Sequence, residues 1–204
     1  MLQLLERQVG ADPHHIGFPS VQTCMAIVLL TDTGLFGWHS LNQGDGVTQT
    51  NAGRFANFIA ANNPGLHQHL YLATNRGVHG GNWRTELQAL AAGLNYHGPA
   101  TSIDLKVNSE GVYVQFERQQ GVNTCAIHYK RNSKMDYESA AGRMDPQAVR
   151  HRQLVLGGGM GFGFIPAGGD GKIKVYTTVS TNANSRKGKL NSVGSGQRDT
   201  ITIP

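Results

Sequence analysis

Six consecutive apolar residues, Met25-Ala-Ile-Val-Leu-Leu30, run into Thr31-Asp-Thr-Gly34 and then a second apolar stretch, Leu35-Phe-Gly-Trp-His39-Ser-Leu41. A strand with one wet face alternates apolar and polar residues; this one is apolar on both, so it demands cover on two sides. The turn sets the pairing. If Thr31 to Gly34 form a four-residue loop, Leu30 pairs with Leu35 and His39 falls opposite Ala26. Side chains alternate, so Cys24, Ala26 and His39 share one face and Trp38 points into the core from the other. A slip of one residue would separate the cysteine from the histidine.

That register makes a thiol and an imidazole diagonal neighbours, with backbones roughly 7–8 Å apart, a gap two inward-leaning side chains can close. Ala26 is small and leaves the space between them open. A thiol of pKa ~8.5 is mostly protonated at neutral pH, whereas one beside an imidazole becomes a thiolate, the form that attacks carbonyl carbon. The imidazole then protonates a departing amine or ammonia, so amides are the natural substrates. Against this stands the commoner fate of a cysteine, a small buried hydrophobe without chemistry.

A chain of 204 residues can bury around 70% of its unfolded surface in one domain and needs no cross-links. Its two cysteines, Cys24 and Cys125, are too few for a disulfide scaffold and suit a reducing compartment. No positive leader precedes a long apolar core, and no apolar run reaches the ~20 residues of a membrane span. The expectation is therefore a protein cytoplasmic in the producing cell, with export lacking a cleavable signal left open and no membrane partner. The formal net charge is +5, yet charged residues make up only 15% and no nucleic-acid-binding motif is met. Nucleic acid is not an expected partner, and the charge is read as solubility or attraction to an acidic protein.

Residues 1 to 20 read as a short amphipathic start and a loop around Gly10-Ala-Asp-Pro13-His-His15. After the hairpin, helical spacing of Ala52, Phe55, Ala56, Phe58 and Ile59 predicts a helix over 50–62. Residues 67–74 alternate as a strand, 75–82 form a glycine-rich loop, and Leu87, Leu90, Ala91 and Leu94 predict a second helix over 83–96. Strands follow at 102–107, 112–119 and 123–130, separated by turn residues. This order predicts an α+β fold, a mixed, largely antiparallel β sandwich flanked by helices. Residues 1–134 form the core of that reading and 135–204 a C-terminal extension. The extension carries a polar stretch with a helix at 146–153, an apolar glycine-rich run through Phe162 and Phe164, strands at 172–179 and 200–203, and a Ser/Asn/Gly-rich segment at 181–196. Its apolar side chains, Phe162, Phe164, Ile173, Val175 and Tyr176, call for packing on the core as an extra β layer or beside the cysteine.

The succession Thr23-Cys24 through Gly37-Trp-His39, a helix, His69-Leu-Tyr-Leu-Ala-Thr-Asn75, Trp83-Arg-Thr-Glu-Leu-Gln-Ala-Leu-Ala-Ala-Gly-Leu94 and Val112-Tyr-Val-Gln-Phe-Glu-Arg118 resembles the chemoreceptor glutamine deamidase family CheD. CheD shares its structural group with the catalytic domain of cytotoxic necrotizing factor. The resemblance spans roughly residues 18 to 130. It implies a hydrolase that deamidates glutamine side chains of a protein substrate, in some members with transglutaminase side activity, in a chemotaxis or toxin-effector setting. Carried over, Cys24 is the nucleophile and His39 the general acid/base, and no cofactor or metal is implied. The family's histidine-orienting threonine corresponds to Phe18 here, with Ser20 the nearest hydroxyl. The usual Gly-Ser-Cys is Gln22-Thr23-Cys24, and the Leu-Pro after the histidine is Leu41-Asn42. The third group is thus left open between Ser20 and a backbone carbonyl.

Two other classes compete. A papain-like peptidase or amidase would place its nucleophile at a helix start, whereas Cys24 opens a β-rich run. A non-catalytic protein-binding domain would keep the fold and bury Cys24 as structure. His67-Gln-His69 puts two imidazoles on one strand face, half of a metal site with no third ligand placed by the sequence. Glu86 and Asp104 are carboxylates that could orient His39, but nothing selects either.

Overall fold

In the computed structural model residues 2–4, 8–40, 45–106, 111–130, 165–166, 172–176 and 190–204 are described. In chain order the strands and helices are β1 (Leu2–Gln3), β2 (Gln8–Asp12), β3 (His15–Val21), β4 (Met25–Thr31), β5 (Leu35–Ser40), α1 (Asp45–Ala61), β6 (His67–Thr74), α2 (Arg76–His79) and α3 (Trp83–Leu94). Then come β7 (Gly98–Asp104), β8 (Val112–Arg118), β9 (Cys125–Lys130), β10 (Ile165–Pro166), β11 (Lys172–Tyr176), β12 (Asn191–Ser192) and β13 (Arg198–Ile203). The fold is α+β and dominated by two mixed sheets, an eight-stranded one in the order β10-β11-β2-β5-β4-β6-β7-β13 and a five-stranded one in the order β1-β3-β8-β9-β12.

The doubly apolar hairpin sits at the centre of the larger sheet, where its composition requires it. Every residue of β4 and β5 is buried. Met25, Ile27, Leu29, Phe36 and Trp38 join Phe55, Phe58, Leu87 and Leu90 in a core under helices α1 and α3. Ala26, Val28, Leu30 and Leu35 face the other way, into a second core with Phe18, Val114, Phe116 and Ile127 of the smaller sheet. The layers are therefore sheet, sheet and helices. Pairing is mostly antiparallel, the exceptions being β1 with β3, β2 with β11, and β6 with β7 across the α2–α3 crossover.

The turn at Thr31–Gly34 closes with Thr31 N–H and Oγ1 both donating to the Gly34 carbonyl, at 2.9 and 3.1 Å. A Cβ at Gly34 would press on the Asp12 and Pro13 backbone at about 3 Å, so glycine is what lets this turn nest against the β2–β3 corner. The second predicted helix ends earlier than its periodicity suggests. Asn95 adopts the left-handed conformation (φ 49°), and its N–H and that of Tyr96 reach back to the last turn, which swings Tyr96 into the helix-side core.

Residues 1–20 carry more strand than their pattern suggests: the loop expected over 10–15 narrows to a tight turn between β2 and β3, in which Asp12 Oδ1 accepts the His14 and His15 N–H groups, both at 2.8 Å. Asp-Pro is a turn signal, and here it sends one strand into each sheet. One expectation needs correction: β11 pairs with β2 and β12 with β9, so these strands extend existing sheets edgewise instead of building an extra layer. The strand expected at 200–203 is present as the edge strand β13, antiparallel to β7 from Arg198 opposite Ile103 to Ile203 opposite Gly98. Phe162, Phe164 and the helix expected at 146–153 lie outside the described residues.

Candidate functional site

Leu30 lies opposite Leu35 and Ala26 opposite His39, the register that the four-residue turn dictates. His39 is fully buried and faces the core between the sheets, while Trp38 packs under α1 with its ring centroid 5.9 Å from that of Phe55. The imidazole is gripped on two sides. Its Nδ1 lies 2.8 Å from the carbonyl oxygen of Leu4, and Phe18 meets the ring edge to face at 5.8 Å between centroids. A carbonyl only accepts, so Nδ1 carries the proton, and in the neutral ring Nε2 is the basic nitrogen. A backbone carbonyl thus holds Nδ1 and Phe18 packs on the ring. Ser20, in the irregular end of β3 where pairing with β8 shifts register, belongs to the residues whose side chains are not described.

Cys24 stands one residue before β4, in the bend Gln22–Cys24, diagonal in register to His39. Only 2% of it is exposed. The carbonyls of Cys24 and of the residue before it are held by side chains from the end of β6 and from α2. Thr74 Oγ1 donates to the Cys24 carbonyl at 3.2 Å, and His79 Nδ1 to the Thr23 carbonyl at 2.9 Å. The other face of the His79 ring is bound as well: Nε2 lies 2.5 Å from Glu86 Oε1, and both side chains are buried. Burial pulls the His79 pKa down, but the Glu86 hydrogen bond, the Thr23 carbonyl and the Glu86 charge outweigh it, and the net shift is upward.

His79 was missed at the level of sequence, where 75–82 reads as loop. The signal was Glu86, a carboxylate one residue from Leu87 and four before Leu90 on the apolar stripe of a helix, where it needs a partner. Glu86 therefore serves His79, and Asp104 ties down the Arg76 and Lys106 amides at the start of α2 and after β7. Neither carboxylate is bonded to His39. Asn75 likewise begins α2 and is buried.

The remaining candidates separate cleanly. His67 sits near Tyr96 of the helix-side core, whereas His69 stacks on Tyr71 of the inter-sheet core at 4.3 Å and bonds Thr101 at 2.8 Å. The register shift between Leu30 and Thr31, opposite this pair, breaks the shared face that alternation predicts. Burial lowers the His69 pKa to about 4, so the ring is a neutral hydrogen-bonding core residue. Among the described residues no group of His, Cys, Asp and Glu is arranged to hold a metal ion. Neither cysteine forms a disulfide, and burial raises the Cys125 thiol to about 12. Among the described residues no helix is long and apolar enough to cross a membrane. No protein-family description matches the chain, and no curated protein does.

Proposed function

We propose that this chain is a cysteine-dependent deamidase of protein glutamines, with the two-layered CheD-like sandwich of the family it resembles. The observation that carries the reading is the His39 clamp. With Nδ1 committed to the Leu4 carbonyl, Nε2 is the nitrogen able to take a thiol proton, and the hairpin register makes Cys24 its diagonal neighbour. In the reaction His39 takes the Cys24 proton, the sulfur attacks the glutamine Cδ, and the C–N bond breaks as His39 returns the proton to the leaving ammonia. A water deprotonated by His39 then cleaves the thioester, leaving glutamate and the thiol. An amine in place of water would give the transglutaminase side reaction. The partner is the glutamine-bearing protein, and no cofactor enters any step.

The burial of Cys24 supports a second reading, a non-catalytic protein-binding domain in which the thiol is structural. A glutamine reaches the sulfur only when the cover over it shifts. One experiment separates the readings. Incubation with a glutamine-rich acceptor protein should release ammonia and convert target glutamines to glutamates by mass spectrometry, while Cys24→Ser and His39→Ala should do neither. Activity surviving Cys24→Ser defeats the deamidase reading, and an inert wild type whose Cys24 alkylates no faster than a buried thiol supports the binding domain.

A further inference from the structure

The bend that carries Cys24 is held from outside its own ladder, and that grip ends in a buried pair the reaction does not use. The Thr23–Cys24 peptide is planar and trans, so fixing the Thr23 carbonyl fixes the plane from which the Cys24 side chain departs. His79 makes that contact through Nδ1, and Glu86 holds the ring from the opposite side. A carbonyl and a carboxylate both accept, so donation from both ring nitrogens requires the imidazolium form of His79, paired with the Glu86 carboxylate. Glu86 Oε2 is buried with no hydrogen-bond partner among the described residues, a cost offset in part by the place of Glu86 in the first turn of α3.

We propose that His79, held by Glu86, is a positioning residue that sets the direction of the Cys24 thiol toward His39 by fixing the Thr23–Cys24 peptide. The inference rests on the deamidase reading for its consequence but on its own contacts for its geometry. Gly81 belongs to the same device. A Cβ there would overlap Glu86 Oε1 and crowd the His79 ring at 3.1 Å, so a side chain at 81 displaces the carboxylate without removing its charge. Glu86 is flexible enough to yield, which makes Gly81→Ala a way to dislodge the support while keeping every ionisable group.

The test is the pH profile of Cys24 alkylation by iodoacetamide, followed by peptide mass spectrometry on the full chain, with melting temperature recorded for each variant. His79→Ala should move the profile toward that of an ordinary thiol and slow neutral-pH alkylation about tenfold. His79→Asn, whose amide nitrogen can occupy the Nδ1 position and bond the Thr23 carbonyl, should keep most of the wild-type profile. Glu86→Gln and Gly81→Ala should fall between. Leu90→Ala, which loosens the same helix without touching the clamp, should lower the melting temperature and leave the profile alone. A wild-type profile in His79→Ala, or equal loss in His79→Asn and His79→Ala, overturns the proposal. If His39→Ala alters the profile and His79→Ala does not, the positioning role fails and the deamidase reading stands; if His39→Ala leaves it unchanged, the thiol has no base to be aimed at and both fail.

Discussion

Cys24 and Cys125 are equally buried, each about 2% exposed, yet their neighbourhoods differ in kind. Cys125 opens β9 within a regular ladder opposite Arg118, its amide bonded to the Tyr71 hydroxyl at 3.0 Å, with Phe116 next to Tyr71. Burial dominates there and pushes both the Cys125 thiol and the Tyr71 phenol upward. Cys24 stands in a bend just outside its ladder, its flanking carbonyls held by Thr74 and His79, with His39 diagonal in register. Two thiols of the same accessibility are therefore not equivalent. If Cys24 is the reactive thiol proposed above, its neighbourhood and not its exposure sets it apart from Cys125.

The largest expected effect is the difference between the two thiols. At pH 7 a thiol of pKa about 12 is ionised to roughly one part in 10⁵ and an ordinary one to about 3%, so Cys24 should alkylate at least ~10³ times faster than Cys125. Peptide mapping after brief iodoacetamide treatment at neutral pH reads the ratio. Equal labelling would erase the comparison.

Next in size is the loss of the base. His39→Ala should slow Cys24 alkylation at neutral pH about tenfold or more while leaving Cys125 labelling unchanged. An unchanged Cys24 rate would mean that the diagonal register brings the two side chains no chemistry.

A change at the other end sharpens the contrast from the opposite direction. Tyr71→Phe removes the hydroxyl bonded to the Cys125 amide and should destabilise the fold by about 1–3 kcal/mol, visible as a lower denaturation midpoint. Cys24 alkylation should not respond, because the side chains that hold its flanking carbonyls, Thr74 and His79, are not the ones bonded to the Tyr71 hydroxyl.

The smallest effect is a pH dependence of stability. The folded-state pKa of His79 is raised, so its contribution is fully present below the ordinary histidine value of ~6.5 and is lost as pH rises through the raised value. The melting-temperature gap between wild type and His79→Asn should therefore narrow as pH is raised. A gap that widens with pH would reverse the sign of the assigned ion pair.

The C-terminal strands bear on the same region. Arg76, the first residue of α2, bonds Asp199 of β13 at 2.6 Å and Ser102 of β7 at 2.8 Å, and lies 4.7 Å over the Trp83 ring. The helix that delivers His79 is thus anchored to the last strand of the chain, which links the extension to the Cys24 bend through one short element.

Local pattern determined the hairpin, its register, the buried placement of Trp38 and the placing of Ala26 opposite His39, because strand alternation and turn length are properties of adjacent residues. The strand at 67–74 and the helices under the sheet were legible for the same reason. The strands before residue 21 were less so: the Asp12 turn is local, but the partners that make β2 and β3 strands, β5 and β8, come from elsewhere in the chain. Nor could the sequence choose the partner of His39, because a backbone carbonyl from Leu4 carries no residue signature and is supplied by a chain segment 35 residues away. The His79–Glu86 pair likewise depended on the crossover between β6 and β7 setting α2 against the Cys24 bend. Apolar periodicity decides which faces are buried; which polar groups meet inside is decided only when the layers close, since each buried donor must then find an acceptor from whatever element lies across from it.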